Sequence, residues 1–232
     1  MGMQIFTPIT INGLTLKNRI AYPSMGLLYS LDRSVNDRYY HYYMEKARGG
    51  SALVTVGPVA VDNAGGMGVT LSLATDEHLD SFTRVARGIK EEGASPWVQL
   101  FHAGGYAASW LIGEQPMAPS AVYNDYAKEV PREMTIDDIE LTIENFIRAG
   151  ERARDCGFDG VEIPVFAGMD LDGAKRLGAF LKQENIPCTA LSVIDPSLGN
   201  SVSPDKFMRD EMVRLVKNHV DYAVELGAEL LM

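Results

Sequence analysis

Alternation appears first along the chain. Ile9-Thr-Ile-Asn-Gly-Leu-Thr-Leu16 sets apolar residues at every second position on either side of Asn12-Gly13. An Asn-Gly pair between alternating residues predicts a tight β-hairpin, because both central positions need φ > 0. An apolar segment, Arg19 to Met25, follows, and then a Tyr-rich helical stretch from Arg38 to Arg48 that Gly49-Gly50 stops. Ala52-Leu-Val-Thr-Val56 reads as a strand with Gly57-Pro58 at its end. Thr75-Asp76-Glu77 opens a helix with acids in its first turn; Leu79, Phe82, Val85, Ala86 and Ile89 line one face and Gly93 ends it. Pro96 to Phe101 is the next strand, and 103–133 is a long irregular stretch of the kind that usually serves a function.

The second half repeats the rhythm. Thr135-Ile-Asp-Asp138 resembles a capping box with Asp in place of Glu, and Ile136, Ile139, Ile143, Phe146 and Ile147 follow at helical spacing up to Gly157. A strand is expected over Gly160 to Val165, a helix over about 171–184, a strand over Cys188 to Ile194, a helix over about 205–226 and a sixth strand from Glu229. Strands alternating with helices predict βαβ units around a parallel sheet. A dinucleotide fold is disfavoured, since no G-x-G-x-x-G follows the first strand. Six strands cannot close an eight-stranded barrel, and 232 residues fall a little short of the roughly 250 such a barrel takes.

Composition narrows the class rather than the activity. The chain is 46% hydrophobic and 22% charged, within the range of globular proteins. Its net charge of −10, with no basic run, argues against nucleic-acid and membrane partners. Cys156 and Cys188 lie apart in apolar surroundings, which reads as two buried thiols in a reducing compartment. MGMQIFTPITING is neither basic nor continuously apolar, and no apolar run reaches the ~20 residues of a membrane span, so a cytoplasmic protein is expected.

Several segments carry a resemblance when taken together. They are Leu16-Lys-Asn-Arg-Ile20, Pro23-Ser-Met-Gly26, Tyr42-Tyr-Met-Glu-Lys-Ala-Arg-Gly-Gly50, Asp76-Glu-His78 and Gln99-Leu-Phe-His-Ala-Gly104, followed by Pro116-Met-Ala-Pro-Ser120, Glu129-Val-Pro-Arg-Glu-Met-Thr135 and Gly157-Phe-Asp-Gly-Val-Glu-Ile163. In this order and spacing, residues 4–163 resemble the N-terminal two-thirds of the old yellow enzyme family of FMN-dependent NAD(P)H oxidoreductases. The resemblance implies FMN as cofactor, NAD(P)H as reductant and a small-molecule substrate. It implies that Pro23, Ser24, Met25 and Gly26 pack against the isoalloxazine, that Gly57 and Pro58 approach its edge, and that Gln99 bonds its pyrimidine end, which an amide suits by offering both donor and acceptor. The alternatives are Met25 as plain core and Gln99 as a loop cap. His102 reads as a packing histidine rather than a catalyst.

The chain also departs from the family pattern. Pro58 removes an N–H near the flavin edge, Gly26 stands where many members carry Thr or Cys, and Gly105 stands where an arginine is usual. Where the family holds its substrate carbonyl with two His, or a His and an Asn, and places a nearby Tyr as proton donor, this chain has Pro164, Ala167 and Met169, none a side-chain donor. No catalytic side chain is therefore assigned, and a weakened enzyme, lacking both carbonyl clamp and phosphate site, is expected. Asp170 to Ala179, Ile186 to Ser192 and His219 to Leu231 instead resemble sugar phosphate isomerase/epimerase barrels of the xylose isomerase-like group. There Glu162 would match a pocket-wall carboxylate, although a partly buried strand-end Glu is the simpler reading; His219 reads as a core histidine, and no metal ligand is assigned.

The expected architecture is therefore α/β and TIM-barrel-like, incomplete at about six βα units, with an N-terminal β-hairpin. Residues 1–163 would form the flavin-oxidoreductase-like part and 164–232 the isomerase-like part of one continuous domain. The leading function is hydride transfer of the ene-reductase type. The alternatives are a divalent-metal sugar isomerase or epimerase, and a recombined barrel without catalysis, completed by a partner or by self-association.

Overall fold

The computed structural model describes residues 4–11, 13–166, 190–194, 206–226 and 230–231, together with Asp172, Lys175, Gly178, Ala179, Lys182 and Gln183. β1 (Ile9–Ile11) and β2 (Leu14–Leu16) form the two-stranded sheet that the Asn-Gly turn predicts, with Gly13 at φ 81°. The described residues divide into two compact units, Met1–Ile9 with Leu16–Asp159 and Thr10–Thr15 with Gly160–Met232.

In the first unit β4 (Leu53–Ala60) is the central strand. β3 (Ala21–Tyr22) pairs with its first two residues, β5 (Leu71–Ser72) with its last two, and β6 (Ser95–Phe101) along its length, all parallel. Every residue of β4 except Pro58 is buried, as a parallel strand covered on both faces requires. α1 (Asp37–Arg48) carries the chain from β3 to β4. Asn36 caps it by accepting from the Tyr39 N–H, and its buried face is Tyr39, Tyr43, Met44 and Ala47. α2 (Leu79–Glu91) buries Phe82, Val85, Ala86 and Ile89, the face that periodicity predicts. The stretch expected to be irregular, 103–133, holds a 3-10 turn (Gly104–Tyr106), a short α-helix, α3 (Ser109–Ile112), and a parallel pair of two-residue strands, β7 (Met117–Ala118) and β8 (Arg132–Glu133).

α4 (Ile136–Asp155) begins on a complete capping box. Thr135 accepts from the Asp138 N–H, and the Asp138 carboxylate accepts from the Thr135 N–H, so Asp does fill the Glu position. Its buried face differs from the expected one. Ile136 is 70% exposed and Ile143 45%, while the buried residues are Ala149 and Ala153. A 20-residue helix is about 30 Å long and a seven-residue strand about 23 Å. The C-terminal half of α4 meets β6 and α2, and small residues allow the close approach there, whereas its first turns bear isoleucines on open surface. Gly157, at φ 89°, supplies the left-handed residue after the helix. Asp159 then takes an ion pair from Lys90 at 2.6 Å and a hydrogen bond from the Ser95 hydroxyl at 2.9 Å. Cys156 is buried, as expected; Cys188 lies outside the described residues.

In the second unit β9 (Gly160–Phe166), β10 (Ala190–Ile194) and β11 (Leu230–Leu231) are parallel, β10 pairing with β9 from Ala190↔Glu162 to Ile194↔Phe166 and with β11 at Ala190↔Leu230. The expected helix at 171–184 is represented by six helical residues, and α5 (Lys206–Leu226) fulfils the expectation for 205–226. Glu162, expected to be partly buried at a strand end, is instead fully buried inside β9, at 1% exposure. The placement of the His219 side chain lies outside what is described. Among the described residues, no helix is long and apolar enough to cross a membrane.

Candidate functional site

β4 does not stop at Gly57-Pro58, as the sequence suggests; it runs through them. Val56 faces Val98 and Val59 faces Leu100, so Gly57 and Pro58 together oppose Gln99. Two residues against one is a β-bulge, and bulges beside functional sites re-aim the residues around them. The Gly57–Pro58 peptide is cis, and Gly57 sits at φ 152°, a conformation that favours glycine. A Cβ on Gly57 would lie 2.9 Å from Ser24 Oγ, 3.0 Å from Gln99 Cβ and 3.1 Å from the Gln99 carbonyl oxygen. The backbone of β4 therefore touches Ser24 on one side and Gln99 on the other through the space that a side chain would fill.

The segment after β3 completes the corner. A Cβ on Gly26 would stand 3.8 Å from Pro58 Cδ, so this glycine leaves the proline ring uncovered. Met25, next to Gly26 in the chain, is 49% exposed, and Pro23 is exposed too. Plain core, the alternative reading of Met25, is thus excluded. The exposed thioether is a soft, polarizable surface able to lie under a planar ring. Gln99 is 8% exposed, so its amide lies in a nearly dry position. Ser24 Oγ is buried without a hydrogen-bond partner among the described residues. Five of the seven residues singled out by sequence, Ser24, Gly26, Gly57, Pro58 and Gln99, thus meet at one corner of the first unit, and Pro23 and Met25 flank Ser24 on its surface.

Tyr43 was not anticipated. Its hydroxyl, reached from the buried face of α1, accepts from the Gly57 N–H at 3.2 Å. Burial holds the Tyr43 phenol well above its ordinary pKa, so it stays a neutral hydroxyl. Pro58 has no N–H and that of Gly57 is occupied, so neither residue of the bulge presents an N–H to a ligand. The signal for Tyr43 was the i, i+4 pair Tyr39 and Tyr43 on one apolar helix face, since a buried tyrosine usually seeks a partner for its hydroxyl. His102 follows β6 and is largely buried, as a packing histidine should be. Of the positions matching the carbonyl clamp, Pro164 lies in β9, and Ala167 and Met169 lie outside the described residues.

The corner fits the ring end of a planar, amide-bearing heterocycle. It combines an exposed thioether, glycine-lined backbone and a nearly buried carboxamide, with a proline ring rather than a charged group beside them.

Comparison with known structures defines the fold. The chain superposes on an old yellow enzyme homologue from Zymomonas mobilis with a TM-score of 0.78 at 20% identity, covering 99% of this chain and 72% of that one. For morphinone reductase in complex with tetrahydroNAD the TM-score is 0.73 at 20% identity, over 83% and 64% of the two chains. The fold is thus TIM-barrel-like, as the strand and helix order predicts. The sequence profile of the NADH:flavin oxidoreductase / NADH oxidase family matches residues 4–169, and the chain belongs to that family. It is 37% identical over 164 residues to a metal reductase of Desulforamulus reducens, covering 71% of this chain and 25% of that protein. It is 35% identical over 171 residues to an NADPH dehydrogenase of Bacillus subtilis, covering 72% of this chain and 50% of that protein. The chain therefore spans a quarter to a half of the length of these relatives. A second profile, the xylose isomerase-like TIM barrel, matches residues 151–232, which include the segments that resemble isomerase barrels.

Proposed function

We propose that this chain is an FMN-dependent NAD(P)H oxidoreductase of the ene-reductase type, slowed by a weak hold on its substrate's carbonyl. The observation that carries the reading is the corner itself: the Gly57–Pro58 bulge opposite Gln99, with Ser24 packed against Gly57 and Met25 exposed beside it. FMN, when bound, would supply the hydride chemistry, taking hydride from NAD(P)H and passing it to an activated alkene. The chain's own residues orient the ring. Met25 and Pro23 offer apolar surface, Gly26 and Gly57 allow close approach, and the Gln99 amide offers a donor and an acceptor to the ring's polar edge.

Substrate polarisation is the weak point. Pro164, Ala167 and Met169 occupy positions at which relatives of this kind would place hydrogen-bond donors, and none has one on its side chain. The join near residue 163 between the flavin-family part and the isomerase-like part falls at the same place. The test is NADPH consumption with FMN in excess, with and without an enone such as cyclohexenone. Enone-dependent turnover well below about 1 per second is expected, rising in a Pro164→His/Ala167→His variant. Turnover at ordinary enzyme rates in the unmodified protein would overturn the weak-clamp reading.

The match of residues 151–232 to xylose isomerase-like barrels supports a second reading, a metal-dependent sugar isomerase or epimerase. Colourless protein carrying a stoichiometric divalent metal would favour it; a yellow protein would not.

A further inference from the structure

Asp62 follows Pro58 by four residues and His102 follows Gln99 by three, and these two partly buried side chains meet where the loop after β4 passes the turn after β6. We propose that His102 and Asp62 form a clasp that positions the bulge against Gln99, and that protonation of His102 in mild acid loosens it.

The geometry is specific. His102 Nδ1 accepts from the Gly104 N–H at 3.0 Å. A ring nitrogen that accepts carries no proton, so the neutral imidazole is the Nε2–H tautomer. Nε2 lies 3.6 Å from Asp62 Oδ1, beyond hydrogen-bonding distance and without a hydrogen-bond partner among the described residues, so the two side chains, 9% and 18% exposed, meet in electrostatic contact only. Asp62 Oδ1 accepts from the Gly65 N–H at 2.5 Å and Oδ2 accepts from Asn145 Nδ2 at 3.0 Å. Two backbone bonds run alongside, Ala103 N–H to the Gly65 carbonyl at 2.8 Å and Val61 N–H to the Phe101 carbonyl at 3.3 Å. The imidazole lies so close on Gly65 that a Cβ there would be 2.4 Å from His102 Cδ2. Gly65 therefore cannot carry a side chain while the clasp is closed.

The charged surroundings decide what a proton does. Asp62 faces His102 from the loop after β4. Arg33, before α1, donates to the Asp62 carbonyl at 3.3 Å and to Asn63 Oδ1 at 3.1 Å. Glu114 accepts from Asn63 at 3.4 Å, and α4 contributes the uncharged Asn145. Burial pushes the His102 pKa down and Asp62 pulls it up, with burial the larger effect. A proton arriving at Nδ1 also removes the acceptor of the Gly104 N–H. The unfolded chain, with its histidine near 6.5, takes up the proton first. The clasp's contribution is therefore complete above about pH 6.5 and is lost as pH falls through the lower folded value, by at most about tenfold in the folding constant per pH unit.

The consequence for ring binding rests on the flavin reading; the clasp itself does not. The test uses 15N-labelled protein without flavin, following the His102 ring nitrogens and the Gly104 amide from pH 8 to 4.5, with melting temperatures of wild type and His102→Asn over the same range. Asn keeps an acceptor for Gly104 but does not titrate. Expected are an Nε2–H tautomer, a His102 pKa below 6.5, a Gly104 shift with the same midpoint, and an acid loss of melting temperature that His102→Asn reduces. An Nδ1–H tautomer, an unshifted or raised pKa, or a Gly104 amide indifferent to the titration overturns the clasp. A second arm measures riboflavin affinity, because a phosphate monoester itself titrates near pH 6. Affinity that weakens with the His102 midpoint supports the positioning role, and pH-flat affinity beside a titrating clasp overturns that role alone. Riboflavin that binds at no pH overturns the flavin reading and leaves the clasp to the first arm.

Discussion

Gly57 is the residue on which the candidate site turns. Its φ of 152° disfavours any side chain, and a Cβ would press on Ser24 Oγ and on the Gln99 backbone at about 3 Å. Gly57→Ala is therefore expected to cost about 1–3 kcal/mol of stability, through strain at a position that only glycine occupies freely. Denaturant unfolding measures this, and a change below about 0.5 kcal/mol would show that the corner is not tightly closed. The sequence offered this residue only as punctuation. Gly-Pro reads as the end of a strand, and nothing local shows that the partner strand supplies one residue, Gln99, against two. Gln99 and Met25 stand out in the sequence because they sit in family motifs. Asp62 and Asn145 do not, since each acquires its role from a partner far away in the chain.

At the scale of elements, α4 separates what periodicity can say from what it cannot. Its start was legible down to the hydrogen bonds, because a capping box is a local device: Thr135 and Asp138 need only each other. Thr135→Ala should lower stability by about 1 kcal/mol, seen as a shifted denaturation midpoint with an unchanged slope. Its buried face was misjudged, because apolar spacing reveals a stripe but not which turns of the stripe meet a neighbour. Ile143→Ser is accordingly expected to change stability by no more than about 0.5 kcal/mol, whereas Ala149→Leu, forced into the contact with the sheet, should cost about 1–3 kcal/mol. Equal effects from the two would contradict the packing described for α4. The strands β4, β6 and β9 were located to within a few residues, since continuous apolar runs between Gly- and Pro-rich breaks leave little choice in a parallel sheet.

For the whole molecule, the family membership of residues 4–169 includes the corner of the first unit that is proposed to hold a flavin ring. The parallel architecture followed from strand–helix alternation, while the family followed from motifs in order; neither could say whether the motif residues converge. The structure brings five of them together at one corner, and flavin binding is the role proposed for it. The most direct measurement is an FMN titration of the purified protein, read by quenching of flavin fluorescence and by the visible absorbance band, alongside Gln99→Ala. The account predicts saturable binding that Gln99→Ala weakens by about 1–3 kcal/mol, roughly 5- to 150-fold in Kd. No saturable binding by the wild type, or the same affinity in Gln99→Ala, would contradict it.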